Sequence, residues 1–339
     1  MKNFLLLSLG ILLCFDPLYT FAQYYENNPP CWFGTDAETL CAKYEKSKVD
    51  ITYNGTVFTS GLILPIPISY SGKHILINGT LVINSTIHAQ SCIFEFTPGS
   101  QLIIYPGSSF TADYSKFFSC TEMWKGINVS NTGSISLNYC QIEDAQYALE
   151  TNDYVGGPLS NISLLNNVFN RNYVGIIPRL PHIVGASQKL LLFSLFLDNE
   201  FKCDAQLNNP YSGQTPLPSS VSFAGIQMEN CLAIVGTVTN PIRNHFSCMQ
   251  YGIYADYSKL SVVGCSFSIM VRPKPGESAG IYAFNQSYLE VSEWFSGMEN
   301  CSFTNCGLAG ILADATSFRS DRNTFNTSQY SQSNGILSR

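Results

Sequence analysis

The chain has 339 residues and a formal net charge of -6; 12% of its residues are charged and 45% hydrophobic. That length suits one large β domain or two smaller ones. Eighteen Lys and Arg spread thinly along it form no basic patch able to displace counterions, which excludes a nucleic-acid partner.

The chain opens on "MKNFLLLSLGILLCFDPLYTFAQ", with a lysine at position 2, an apolar run from Phe4 to Phe15 and small residues placed for cleavage after Ala22. Residues 1–22 therefore read as a signal peptide, and the mature protein is expected to be secreted or held at the cell surface. The other apolar run, Leu190 to Leu197, is far shorter than the roughly 20 residues that cross a bilayer, so no transmembrane segment is expected in the mature chain.

Residues 23–73 read as an N-terminal cap. Within them "TDAETLCAKYEKS" is helix-patterned, with Thr35 and Glu38 at capping-box spacing. Cys31 and Cys41 flank a short segment and are the expected disulfide; eleven cysteines survive cleavage, an odd number for a framework made of disulfides alone. Several of the others recur at one position of a repeat, which points to packing.

That repeat runs from residue 74 to 339. Its unit is Cys or Asn, any residue, then Phe or Ile, followed by a Gly-Ile step: "CQIEDAQYALE" from Cys140, "NVFNRNYVGI" from Asn167, "NHFSCMQYGI" from Asn244, "CSFTNCGLAGI" from Cys301. The Gly or Ala of the step falls at Gly126, Ala148, Gly175, Gly225, Gly252, Gly280, Gly310 and Gly335, at intervals of 22 to 30 residues apart from one of 50 that carries long insertions. A period of this size marks a solenoid. Short alternating runs such as "SISLNYCQI" and "KLSVVGCSF" supply strands, and helical periodicity is nearly absent from the mature chain. The fold class is therefore all-β: a right-handed parallel β-helix with a short N-terminal helical or irregular cap. Phe169, Phe201, Phe246, Phe267, Phe303 and Phe325 are expected to form one internal stack. Asn167, Asn199, Asn244 and Asn323, with Cys140, Cys265 and Cys301, should form the ladder beside it. The Gly-Ile step is expected to mark the entry to a strand, where a tight corner precedes a buried branched side chain. Segments 177–189, 203–222 and 270–279, which interrupt the repeat and carry Pro or Gly, should project as loops.

"GTLVINSTI" from Gly79, "FTPGSQLIIYPGSSFTAD" from Phe96, "MWKGINV" from Met123 and "GSISLNYCQIEDAQYAL" from Gly133 together resemble secreted right-handed parallel β-helix proteins of the pectate-lyase-like superfold. The likeness is greatest to a group from Gram-negative bacteria exported with type IX signals, and it covers residues 74 to 339. It implies that the helix continues into a sorting domain, so the chain, ending within a rung at Arg339, is expected to be truncated.

Enzymes on this superfold cleave acidic polysaccharides, so carboxylates and bases were sought. Glu143 and Asp144 are the adjacent acidic pair of the repeat; as neighbours in a strand they are expected on opposite faces, one of them solvated. Arg272 and Lys274, in "VRPKPGES", stand two apart as in hydrolases that bind uronates, without the Gly-His-Gly partner motif. Asp113, Asp144 and Asp153 are the candidate calcium ligands. No motif calls for a cofactor, and the four histidines lack metal spacing. The function these features favour is a noncatalytic surface or extracellular module binding a polysaccharide or a surface protein, with a polysaccharide lyase or glycoside hydrolase as the alternative.

Overall fold

The computed structural model describes residues 39–44, 46–59, 68–152, 160–179, 189–191, 193–236, 243–270, 278–285, 287–291, 300–326 and 334–339. They form a parallel β-helix of about nine turns, preceded by one short helix, Leu40–Tyr44. Each coil contributes up to three strands, and every registered strand pair is parallel, as between Cys265–Met270 and Ser302–Cys306.

One face stacks the Phe strands, another the Gly-Ile strands. The third is built by two successive stacks, one of which ends at Phe193–Leu197, while the other starts at Lys189–Leu191. Strand alternation puts one apolar set inside, and the buried sets of all three faces join in one long core.

The centre of that core is aromatic. Phe169, Phe201, Phe246, Phe267 and Phe303 are buried, Phe325 partly so, and consecutive rings stack with centroids 4.6–5.0 Å apart and planes within 11°. Beside them Asn167 Nδ2 donates to Asn199 Oδ1 and Asn199 Nδ2 to Asn244 Oδ1, at 3.0 and 3.1 Å. These side chains also take up backbone groups at the coil corners: Cys140 N–H donates to Asn167 Oδ1 and Cys301 N–H to Asn323 Oδ1. The neighbouring cysteines are buried thiols; burial pushes Cys140 up to about 12.

The Gly-Ile step stands at the entry to its strand, as in Val174–Arg179 and Ala279–Phe284, with the Ile buried, and its Gly has a steric cause. A Cβ at Gly175, Gly225, Gly252, Gly280 or Gly310 would lie 2.4–2.7 Å from the ring of Phe201, Phe246, Phe267, Phe303 or Phe325, on the next coil. Each Phe ring thus occupies the side-chain space of the glycine one coil before it, and the two columns need each other.

The loop after Cys203 does not project freely. Cys203, Leu207 and Val221 bury against Met123 and Cys248, Met123 N–H donates to Asn209 O at 2.8 Å, and Lys125 lies over the Tyr211 ring. It is folded back across earlier coils. Most of segments 177–189 and 270–279 lies outside the described residues.

Cys41 pairs with Cys120, 79 residues away, and not with Cys31 as expected. The helix carrying Cys41 lies on the strand Lys116–Ser119, with Tyr44 stacked on Phe118, so Cys120 is the thiol within reach.

Candidate functional site

Glu143 and Asp144 are brought together, but inside the protein. Both are 1% exposed, which corrects the expectation that one of them is solvated. Glu143 closes the strand Gln141–Glu143, and Asp144 follows at φ 60°, in the left-handed region, where strand alternation no longer holds. One coil on, Arg171 occupies an equivalent corner at φ 51° and sends its guanidinium, 4% exposed, to both carboxylates. Nε donates to Asp144 Oδ1 at 3.1 Å, and Nη2 to Asp144 Oδ2 at 2.9 Å and Glu143 Oε2 at 2.7 Å. Asp204 stands 3.6 Å from Nη1. Glu143 also accepts from Gln141 and Asn170, and from Leu40 N–H at the start of the helix. Burial raises Asp144 to about 6 against the pull of Arg171, with Glu143 and Asp204 adding to the rise. Burial works against the charge of Arg171, yet Asp144 first and then Glu143 hold its pKa above the ordinary value. Every polar atom of this pair is engaged in holding coil to coil and cap to coil.

The cap has a second latch, a Ser-His-Glu row that no spacing announces. His74 Nδ1 lies 2.7 Å from Ser47 Oγ, and Nε2 lies 2.9 Å from Glu95. The Ser47 hydroxyl also donates to Tyr44 O at 2.7 Å. The row fastens Ser47 to the strand His74–Ile83.

Asp113 lies on the outside. Its Oδ2 accepts from His88 Nε2 at 2.6 Å and its Oδ1 from Asn138 Nδ2 at 2.7 Å. Next along the chain are Tyr114 and, one coil on, Tyr139, both at positive φ (52° and 55°) and 56% and 42% exposed. Their rings stack at 5.0 Å with planes 10° apart. A signal for this corner exists in the sequence: Ala-Asp-Tyr-Ser-Lys occurs at 112–116 and again at 255–259.

A broader aromatic surface lies on the Gly-Ile sheet. Gln227, Tyr254, Tyr282, Leu312 and Leu337 stand in register on consecutive coils, and the same column carries Val82, Ile103, Asn128, Glu150 and Ile177 on the coils before them. Tyr254 packs against Phe223, Tyr282 and Phe284, and a cleft of about 310 Å³ opens there with Gln250 and Arg339 among its lining. A second cleft, about 340 Å³, lies within the folded-back loop between Gln206–Pro210 and Pro216–Ser220.

Arg272, Lys274 and Asp153 lie outside the described residues. Asp113 and Asp144 are not brought into one ligand set: Asp144 is buried against Arg171, while Asp113 faces outward with His88. Among the described residues no group of three or more His, Cys, Asp or Glu is placed to hold a metal ion, and no helix is long and apolar enough to cross a membrane. Comparison with protein-family models, with curated proteins and with solved structures finds no match.

Proposed function

We propose that this chain is an exported, noncatalytic β-helix module that binds a glycan or a surface protein through its flank, on a scaffold of the pectate-lyase-like, type IX-exported kind that its phrases resemble. The observation that carries the reading is the outward aromatic surface of the Gly-Ile sheet. The column that carries Asn128 and Glu150 on its middle coils turns to Tyr254 and Tyr282 farther along, beside a cleft. Tyrosines half-buried in a surface contribute area and a polar tip with little loss of side-chain freedom, and they are enriched where proteins bind. The acidic pair that a hydrolase would need is meanwhile committed to the Arg171 clamp.

The test is a glycan array probed with the mature protein and with the Tyr254→Ala, Tyr282→Ala double variant, run beside assays for new reducing ends and unsaturated uronates. Binding by the mature protein, loss in the variant and no product release support the module. Product release that survives Glu143→Gln and Asp144→Asn would replace it with an enzyme whose site lies elsewhere.

A further inference from the structure

We propose that Tyr114 and Tyr139, bordered by Asp113, His88 and Asn138, seat a neutral hexopyranose unit of a glycan, at a contact apart from the Tyr254 surface; this rests on the binding-module reading and gives it a ligand class.

The backbone does not ask for tyrosine at these corners. Successive coils put Ser91, Tyr114, Tyr139, Asn166 and Asp198 at one left-handed position, φ 52–57°, and Asn or Asp is the residue that tolerates it. A bulky ring there is uncommon, and these two are not recruited to the core, since both are largely exposed. Residues held in rare conformations with exposed side chains are where function is to be sought.

Their geometry leaves a seat. The ring separation of 5.0 Å matches the strand spacing of about 4.8 Å, and the planes are nearly parallel, so the two rings form a stack that advances one coil per step. The preceding residue of the column is Ser91, too small to cover the outer face of Tyr114. A saccharide ring lying over Ser91 would extend the stack by one step, with its C–H face against the tyrosine. Its hydroxyls would then meet Asp113 and His88. Asp113 uses one lone pair on each oxygen for His88 and Asn138 and keeps others to accept hydroxyl protons. A uronate would set its own carboxylate against Asp113, so the charge favours neutral sugars over the acidic polymers that the superfold resemblance brings to mind.

The experiment is titration calorimetry of the full mature chain with cellohexaose, chitohexaose and mannohexaose, and with hexagalacturonate as the acidic probe. At least one neutral hexamer is expected to bind at least tenfold more tightly than hexagalacturonate. Tyr114→Ala should weaken that binding at least tenfold, and so should Ser91→Tyr, which fills the seat with a residue the corner already accepts at 114. Tyr114→Asn, compatible with the left-handed backbone, keeps the loss from being ascribed to misfolding, and Tyr257→Ala serves as the control corner. Neutral binding unchanged in Tyr114→Asn and Ser91→Tyr but lost in Tyr254→Ala overturns this seat and leaves the module reading standing. Preference for hexagalacturonate overturns the ligand class, and absence of binding to all four probes overturns the seat and the glycan arm of the module reading.

Discussion

The two copies of Ala-Asp-Tyr-Ser-Lys sit at different corners of the solenoid and fold alike. Residues 112–116 join the strand Ser109–Asp113 to Lys116–Ser119, and residues 255–259 join Tyr251–Asp256 to Lys259–Val262. In both, the tyrosine is left-handed and donates its N–H to the next coil, to Asn138 O and Phe284 O. In both, the buried serine donates to the aspartate carbonyl and accepts from the N–H of a cysteine one coil back, Cys92 or Cys231. Each aspartate takes an amide proton from an asparagine, Asn138 or Asn285. The surroundings differ. Tyr114 stacks on Tyr139 and Asp113 holds His88, whereas the Tyr257 column continues as Asn230 and Asn285. Five residues thus specify a corner; what the corner presents is decided by residues a coil away, more than twenty positions along the chain.

A third corner, that of Asp144 and Arg171, shows what happens when the left-handed position is charged and turned inward, and breaking it should have the largest effect. Arg171→Met leaves two buried carboxylates unpaired and is expected to cost about 3–5 kcal/mol in urea denaturation. Adding Glu143→Gln and Asp144→Asn should recover much of that loss; no recovery would show that the guanidinium acts through packing alone.

The same corner should set a pH dependence. Asp144 has a folded-state pKa raised from 3.8 to about 6. Between those values the folded chain holds a proton that the unfolded chain has released, so the contribution of Asp144 is present at acid pH and is lost as pH rises through about 6. Its full span is of the order of 3 kcal/mol. Comparing the pH dependence of urea midpoints for wild type and Asp144→Asn should show a falling contribution from pH 4 to 7 in wild type alone. Equal slopes would place the proton on another group.

Ser115→Ala and Ser258→Ala test whether the two pentapeptides are equivalent. Each strands a buried cysteine N–H, and each should lower stability by about 1–3 kcal/mol. A difference above about 1 kcal/mol would mean that the corner is not set by its own five residues. The smallest effect on stability is expected of Tyr114→Asn and Tyr257→Asn, within about 1 kcal/mol of wild type, because relief of the left-handed backbone offsets lost surface contact. Thermal melting measures it, and an unfolded variant would show that the ring is structural.

Much of the fold was legible because the repeat writes it several times: the Phe column, the Asn and Cys ladder beside it and the glycine that makes room for each ring all recur with one period. The candidate site was much less so. Alternation along a strand separates Glu143 from Asp144 on paper; the left-handed φ of Asp144 undoes it, and Arg171 arrives from the next coil at a place no local pattern marks. The Ser47–His74–Glu95 row and the Cys41–Cys120 bridge join residues 21 to 79 positions apart that have no periodic relation, so only the folded chain brings them together.

The bridge between Cys41 and Cys120 gives the rod a direction in which to come apart. It ties the cap to the early coils across 79 positions of chain, a loop whose closure is worth about 4–5 kcal/mol in the chain-entropy account. Cys248 is also disulfide-bonded, whereas Cys265, Cys301 and Cys306 beyond it are thiols. A stack of nearest-neighbour contacts opens from its less constrained end, so amide exchange should run as a gradient: the coils after residue 265 peel singly and early, and those before residue 120 exchange late and as one block. Under reduction the gradient should flatten, with no change in any coil's own hydrogen bonds.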